Sequence, residues 1–391
     1  MLCRIVNTAS RFQAFEIPAE CAPLRREVRA FLAEASQAWS GWEVGHSWTG
    51  FDREFTREIA RRGWIGMTWP TCYGGHQRSP IERYVVIEEL LAAGSPVGAH
   101  WVADRQSGPL LLRVGTDSQK ERFLPAMARG EAAFCIGLSE PGAGSDLASL
   151  RSRATHVDGG WRLSGRKIWT TYAQHCDFMI GLFRSGGPAE VDRHRGLSQF
   201  LIDLKSSGIE IRPIRDLLGE SHFNEITFDE VFLPEDQLIG REGEGWAQVN
   251  AELAFERSGP DRYLSSFPLL PLTIDALRAT GAPDRLSARR IGESVANMVI
   301  LREMSLSVLA RLEAGETPLQ EAALTKVLGT DFEQRLPEVV RELTDAVPAF
   351  SLDDRLAAML GYLTQAAPTF SLRGGTNEIM CGIIARGLGV R

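Results

Sequence analysis

Apolar positions change their spacing twice along the chain. From residue 18 to about 129, Leu24, Val28, Phe31 and Leu32 recur at helical spacing, as do Tyr84, Ile87 and Leu91 after the breaker Pro80. Residues 105–113 and 118–127 predict two short helices divided by Gly115. From Gly130 to about Gly243 the runs shorten and alternate, at 133–138, 161–163, 178–183, 198–203, 209–214 and 225–228. Such runs, divided by Gly, Asp and Pro, predict a small antiparallel barrel or sandwich. Beyond Gly245 and Trp246, amphipathic stretches at 246–258, 286–313, 318–343 and 353–365 are helical again. Helices, then strands, then helices define an α+β class rather than a βαβ alternation. The expected domains are an N-terminal helical domain at 18–129, a middle β domain at 130–243 and a C-terminal helical domain at 244–391.

Composition narrows the function classes. The 391 residues are 44% hydrophobic and 24% charged, as in a globular protein. A net charge of −7 argues against a nucleic-acid surface. No apolar run approaches the roughly 18–20 residues of a membrane span. Residues 1–17 mix Arg4, Arg11 and Glu16 among short apolar stretches and lack the centre of a secretory signal. Six cysteines, at 3, 21, 72, 135, 176 and 381, form no C-x-x-C pair, which points to reduced thiols and a cytoplasmic protein. The seven histidines form no H-E-x-x-H pattern, so no metal is expected.

Residues 137–146 read Gly-Leu-Ser-Glu-Pro-Gly-Ala-Gly-Ser-Asp. Glycines let backbone approach a ligand closely, and Ser139, Ser145 and peptide N–H groups are donors suited to a polar heterocycle or a phosphate. A surface turn has the same composition, so the loop gains meaning only from its company. That company is ordered along the chain: Leu-x-x-Val-Gly-Thr-x-x-Gln-Lys-x-x-Phe-Leu-Pro at 111–125, Gly-Arg-Lys-Ile-Trp-Thr-Thr at 165–171, Phe-Asn-Glu-Ile-Thr-Phe-Asp-Glu-Val-Phe at 223–232, Gly-x-Gly-Trp at 243–246, and Gly-Gly-Thr-Asn-Glu at 374–378.

With these five segments the chain resembles the acyl-CoA dehydrogenase family over nearly its whole length. The resemblance implies an N-terminal helical domain, a middle β domain and a C-terminal four-helix bundle. It implies FAD as cofactor, an acyl-CoA thioester as substrate, a 2-enoyl-CoA product and electron-transferring flavoprotein as electron acceptor. The chemistry needs a carboxylate base, a flavin held against the acyl chain and donors on the thioester oxygen. Leu138, Ser139, Trp169 and Thr171 match flavin-ring positions, Gly144 belongs to the cofactor loop, and Ser145 matches a residue near cofactor and CoA. Thr376 and Glu378 match positions near the ribityl and phosphate region. Taken alone, Trp169 reads first as a core aromatic and Thr171 as an ordinary strand residue, and a turn serine would look the same as Ser145.

Many family members carry the catalytic glutamate where this chain has Gly374, which has no side chain with which to abstract a proton. A minority place it on a C-terminal helix within a Glu-Arg pair. Glu256 and Arg257 match that pair, so Glu256 is the expected base, with Arg257 and Gly374 at the substrate. An ordinary charged pair on a solvated helix is the plainer reading. The Gly259–Pro260 break interrupts or kinks the helix beside the base, which either widens the pocket or simply ends the helix. Trp101 and Arg105 either border the pocket or serve packing.

Two FAD-reaching motifs of the homotetrameric relatives, Arg-x-x-Phe-Gly and Gln-x-x-Gly-Gly, have no counterpart at 279–286 or 356–363. The pattern resembles actinobacterial heteromeric dehydrogenases of steroid side chains, whose homologous partner subunit completes the cofactor site. The expectation is a catalytic subunit of a heterotetramer acting on a bulky acyl-CoA. A homotetramer of isovaleryl or long-chain type, an oxidase or monooxygenase of the same fold, and a non-catalytic subunit that donates part of an FAD site are the alternatives.

Overall fold

Capped helices open the chain in a computed structural model that describes residues 12–186, 193–280, 284–346 and 352–390, with the side chains of 252–256 and 345–346 outside that description. Helix α1 (Ala22–Ala35) buries Leu24, Val28 and Leu32. Ser40 and Glu43 form a capping box that starts α2 (Gly41–His46), and Asp52 caps α3 (Arg53–Arg61). Ser79 and Glu82 cap α4 (Pro80–Ala92), whose first residue is the proline that fits the first helical position. The helix expected at 105–113 is a composite. Helix α5 (Gly98–Val102) passes through a π turn (Ala103–Ser107) into α6 (Gly108–Val114). Helix α7 (Asp117–Ala128) begins at a Thr116–Gln119 capping box.

Eight strands follow: β1 (Phe134–Gly137), β2 (Arg153–Val157), β3 (Gly160–Thr171), β4 (Phe178–Arg184), β5 (Leu197–Asp203), β6 (Ile209–Ile214), β7 (Phe223–Pro234) and β8 (Leu238–Ile239). They form one sheet in the order β6-β7-β3-β2-β4-β5-β8, with β1 added beside β4. Most pairs are antiparallel; β1 with β4 and β2 with β4 are parallel. The remaining helices are α8 (Gly245–Glu256), α9 (Leu269–Ala279), α10 (Arg285–Glu313), α11 (Leu319–Ala346), α12 (Asp354–Ala366) and α13 (Asn377–Gly387). Helix α9, which the spacing did not announce, starts at Leu269 inside a Pro-Leu-Leu-Pro segment, with Pro268 as its N-cap residue. Helix α8 stops at Glu256 and the chain re-forms a 3-10 turn at Pro260–Arg262, so the Gly259–Pro260 break is a helix end.

The chain divides into two compact units. One comprises residues 1–50, 79–96 and 254–391; the other comprises 51–78 and 97–253. In the second unit, Trp161, Leu163, Phe183, Phe200, Ile226, Phe228 and Val231 form a core at the sheet. A further cluster packs Leu110, Leu111, Phe123, Leu124 and Met127 against Phe134, Ile180 and Leu201. In the first unit, α1 and α4 pack together, and Cys21, Ile81, Tyr84 and Val85 share a cluster with Leu306 of α10. Among the described residues no helix is long and apolar enough to cross a membrane.

Candidate functional site

Within the sheet unit, the 137–146 loop is held from two directions. Glu140 and Ala143 exchange backbone hydrogen bonds at 2.9 and 3.0 Å, closing a two-residue turn over Pro141 and Gly142. The Glu140 carboxylate accepts from the backbone N–H groups of Arg151 at 2.7 Å and Ser152 at 2.9 Å. From below, Lys167 of β3 donates to Glu140 Oε1 at 2.9 Å and to the Leu138 carbonyl at 3.2 Å. Lys167 is fully buried and Glu140 nearly so. Burial draws the Lys167 ammonium down to about 8, with Glu140 pulling the other way. Burial pushes Glu140 up, but Lys167 and the peptide donors outweigh it and hold its carboxyl below its ordinary value.

Beside this clasp, β3 carries a bulge. Its register against β7 shifts between Lys167 and Thr170, and Trp169 sits there at φ +61°. Left-handed backbone is costly for a bulky residue, and bulges redirect side chains. Trp169 is 54% exposed, although a tryptophan on a sheet would ordinarily be buried. Thr171 is half-buried, while Thr170 between them is buried. Phe223 lies edge-on to the indole, with ring centroids 5.9 Å apart. The Ile168 amide donates to the Ser139 carbonyl at 2.9 Å, which brings the loop to the bulge. Leu138 and Ser139 are half-buried, whereas Gly144 and Ser145 are exposed, and a Cβ at Gly142 or Gly144 would meet nothing within 4 Å.

A flat heteroaromatic ring needs an open aromatic face with peptide and hydroxyl donors at its rim. These residues fit it: an outward indole, Leu138, Ser139 and Thr171 are gathered on adjoining backbone. Trp101 and Arg105, on the same unit, make a cation–π contact at 4.5 Å.

In the helical unit, Gly374 adopts φ +67° and Gly375 φ +98°. Only glycine takes two such conformations in succession at little cost. Arg257 Nε donates to the Gly374 carbonyl at 3.3 Å, so this pair of expected substrate residues is brought together. Glu256 ends α8, and its side chain lies outside the described residues. Thr376 caps α13, its hydroxyl accepting from the Ile379 amide at 3.4 Å, and Glu378 stands in the first turn. Its own backbone N–H, the Thr376 hydroxyl and Lys326 hold the Glu378 carboxyl below its ordinary value. Both residues therefore serve the helix start, where an acidic residue suits the dipole.

Around Gly374 lies a charge cluster that motif reading missed. Arg373 ion-pairs with the fully buried Glu333 and donates to Ser265 Oγ at 2.9 Å. Its guanidinium lies 4.6 Å from the Phe370 ring centre and 5.1 Å from that of Trp48. Lys326 donates to the Ser371 carbonyl at 3.1 Å and to Asn377 Oδ1 at 3.0 Å. Burial, then Arg262 and Arg373, lower it to about 8. Arg262 was visible only as one more arginine after the proline break.

Comparison with known proteins now decides the family. Residues 18–131, 135–231 and 243–389 match the profiles "Acyl-CoA dehydrogenase, N-terminal domain", "middle domain" and "C-terminal domain". The chain belongs to the acyl-CoA dehydrogenase family. It therefore has the acyl-CoA dehydrogenase fold, with N-terminal helical, middle sheet and C-terminal helical parts, and falls among FAD-linked oxidoreductases acting on CH–CH bonds. Acyl-CoA dehydrogenase IpdE1 of Mycobacterium tuberculosis is 32% identical over 371 residues, covering 92% of this chain and 95% of that protein. Acyl-CoA dehydrogenase FadE34 of the same organism is 34% identical over 337 residues, 84% of this chain; the match spans 44% of FadE34. Among solved acyl-CoA dehydrogenases, the "Tcur3481-Tcur3483 steroid ACAD" superposes with a TM-score of 0.85 at 27% identity, covering 96% of this chain and 99% of that one. The ChsE4-ChsE5 complex from Mycobacterium tuberculosis gives 0.82 at 25% identity, covering 97% and 100%.

Proposed function

We propose that this chain is the catalytic subunit of a heteromeric, FAD-dependent acyl-CoA dehydrogenase that acts in the cytoplasm on a bulky acyl-CoA, a steroid side chain being the leading class. The observation that carries the flavin assignment is Trp169: an indole turned outward by a bulge, at a backbone conformation that is costly unless something uses it. Leu138, Ser139, Gly144, Ser145, Trp169 and Thr171 form the ring-facing wall, and Thr376 and Glu378 border the ribityl and phosphate region. The functional domains are 18–129, 130–243 and 244–391.

In this mechanism Glu256 takes the proton from Cα of the thioester. Removal from water raises a carboxyl toward the working pH, the condition for an effective base. The Gly374 N–H donates to the thioester oxygen as charge develops there, worth about 3 kcal/mol for one such donor. Arg257 holds the next peptide along, by its bond to the Gly374 carbonyl. Ser145 borders the CoA chain. Leu138, Ser139, Trp169 and Thr171 would hold FAD, which would supply the hydride-accepting chemistry at Cβ, with electron-transferring flavoprotein as the onward acceptor.

Three observations favour a heteromer over a homotetramer. The 356–363 segment lies within a regular helix and carries no Gln-x-x-Gly-Gly. The other motif region, 279–286, also lacks its consensus, and its residues 281–283 lie outside those described. Two structural neighbours carry the names of two chains together, Tcur3481-Tcur3483 and the ChsE4-ChsE5 complex. The test is expression of the chain alone and with a homologous neighbour encoded beside it, followed by FAD content and acyl-CoA turnover. Flavin and activity are expected only in the co-expressed complex. A lone chain with full FAD and turnover contradicts the heteromer, and a complex with full FAD but no response to any acyl-CoA favours a non-catalytic subunit.

A further inference from the structure

Arg262 is the last residue of the 3-10 turn that forms where Gly259 and Pro260 stop α8. Its amide donates to the Gly259 carbonyl at 3.0 Å. Its own carbonyl packs against Gly329 of α11 so closely that a Cβ there would lie 2.2 Å from the oxygen. The turn thereby buries the Arg262 side chain, which is 3% exposed and has Nε 3.1 Å from the Asp261 carboxylate.

The guanidinium ends at Gly374. A Cβ placed on Gly374 would lie 3.0 Å from Cζ, 3.0 Å from Nη2 and 3.1 Å from Nη1 of Arg262. Side-chain carbons rarely pack so tightly. A long arginine ordinarily swings aside, but burial and Asp261 restrain this one.

We propose that Arg262 is a positioning residue that fills the volume a side chain at 374 would claim, keeps the 374–375 backbone in its left-handed course and excludes a catalytic base from that position. The proposal rests on the assignment of Glu256 and Gly374 made above. It accounts for a glycine at 374 as one half of a matched pair. It also assigns a consequence to the proline break: the turn that ends α8 delivers the guanidinium. Charge acts with volume. A carboxylate introduced at 374 would meet the guanidinium at ion-pairing range and stay ionised, and a strongly acidic carboxyl is a poor proton acceptor.

The experiment uses the FAD-loaded complex and two comparisons. The first reads melting temperature for Gly374→Ala with Arg262 intact and in an Arg262→Ala background. The loss caused by Gly374→Ala is expected to shrink by about half or more once the guanidinium is gone, the remainder reflecting the positive φ. Equal losses in the two backgrounds overturn the steric claim. The second comparison reads turnover in a Glu256→Gln background. Gly374→Glu is expected to restore nothing while Arg262 remains, and to restore about tenfold or more when Arg262→Ala is added. Restoration with Arg262 in place, or none after its removal, overturns the exclusion claim. Arg262→Gln, which loses the charge and part of the volume, is expected to behave as Arg262→Ala does and replaces it if that variant unfolds. Should Glu256→Gln keep wild-type turnover, the base assignment fails, and the melting comparison still decides the role of Arg262.

Discussion

Replacing Lys167 with methionine tests how the flavin loop is held. Methionine keeps the unbranched stem and removes the ammonium, which contacts Glu140 Oε1 at 2.9 Å and the Leu138 carbonyl at 3.2 Å. Glu140, 8% exposed, then retains its peptide donors from Arg151 and Ser152 and loses its cation. Removing one partner of a buried pair costs about 3–5 kcal/mol. For a unit of this size each kcal/mol lowers the melting temperature by roughly 2–4 °C, so a fall of about 10 °C is expected. Because the same ammonium pins the 138–140 backbone beside Trp169, FAD affinity should fall as well. The assay is thermal melting with and without added FAD, alongside flavin titration by fluorescence. A melting temperature within about 2 °C of wild type, together with unchanged FAD affinity, would refute the view that this clasp builds the loop.

Two further outcomes follow from individual residues. Trp169→Gly removes a half-exposed side chain and relieves a positive φ, so melting should shift by only about 3 °C while FAD binding weakens about tenfold or more, measured by titration; unchanged FAD binding would remove Trp169 from the cofactor wall. Lys326 titrates near 8 when folded against an ordinary 10.5, so between those pH values the unfolded chain holds more protons and this lysine's contribution to stability rises with pH. The stability difference between wild type and Lys326→Met should therefore grow in favour of wild type from pH 8 to 10.5, read by denaturant melts across that range.

Much of the architecture is legible in the apolar spacing because helix and strand periods differ. The strand runs at 178–183, 198–203 and 209–214 lie in β4, β5 and β6, and the long stretches at 286–313 and 353–365 lie in α10 and α12. What the spacing hides is set by contacts distant in sequence. The π turn inside the expected 105–113 helix is one case, and the parallel pairing of β1 with β4 is another. Motifs placed Leu138, Ser139, Trp169 and Thr171 in one neighbourhood, but not the bulge that exposes the indole, because bulges depend on the register of β3 against β7. Lys167 stood inside a quoted motif without a role; its partner Glu140 lies 27 residues away. Arg262 stood in the sequence without a role, since its meaning comes from a glycine more than a hundred residues downstream.

Glu256 is proposed to remove the substrate proton through its carboxylate. The most direct measurement of that role is anaerobic mixing of the purified complex with a panel of acyl-CoAs, from branched short chains to steroid-CoA thioesters, while flavin absorbance is followed in wild type and Glu256→Gln. Rapid bleaching by at least one bulky thioester is expected in wild type, and in Glu256→Gln full FAD content with bleaching slowed by ~10³-fold or more. Bleaching at the wild-type rate in a Glu256→Gln complex that retains its FAD would contradict that role.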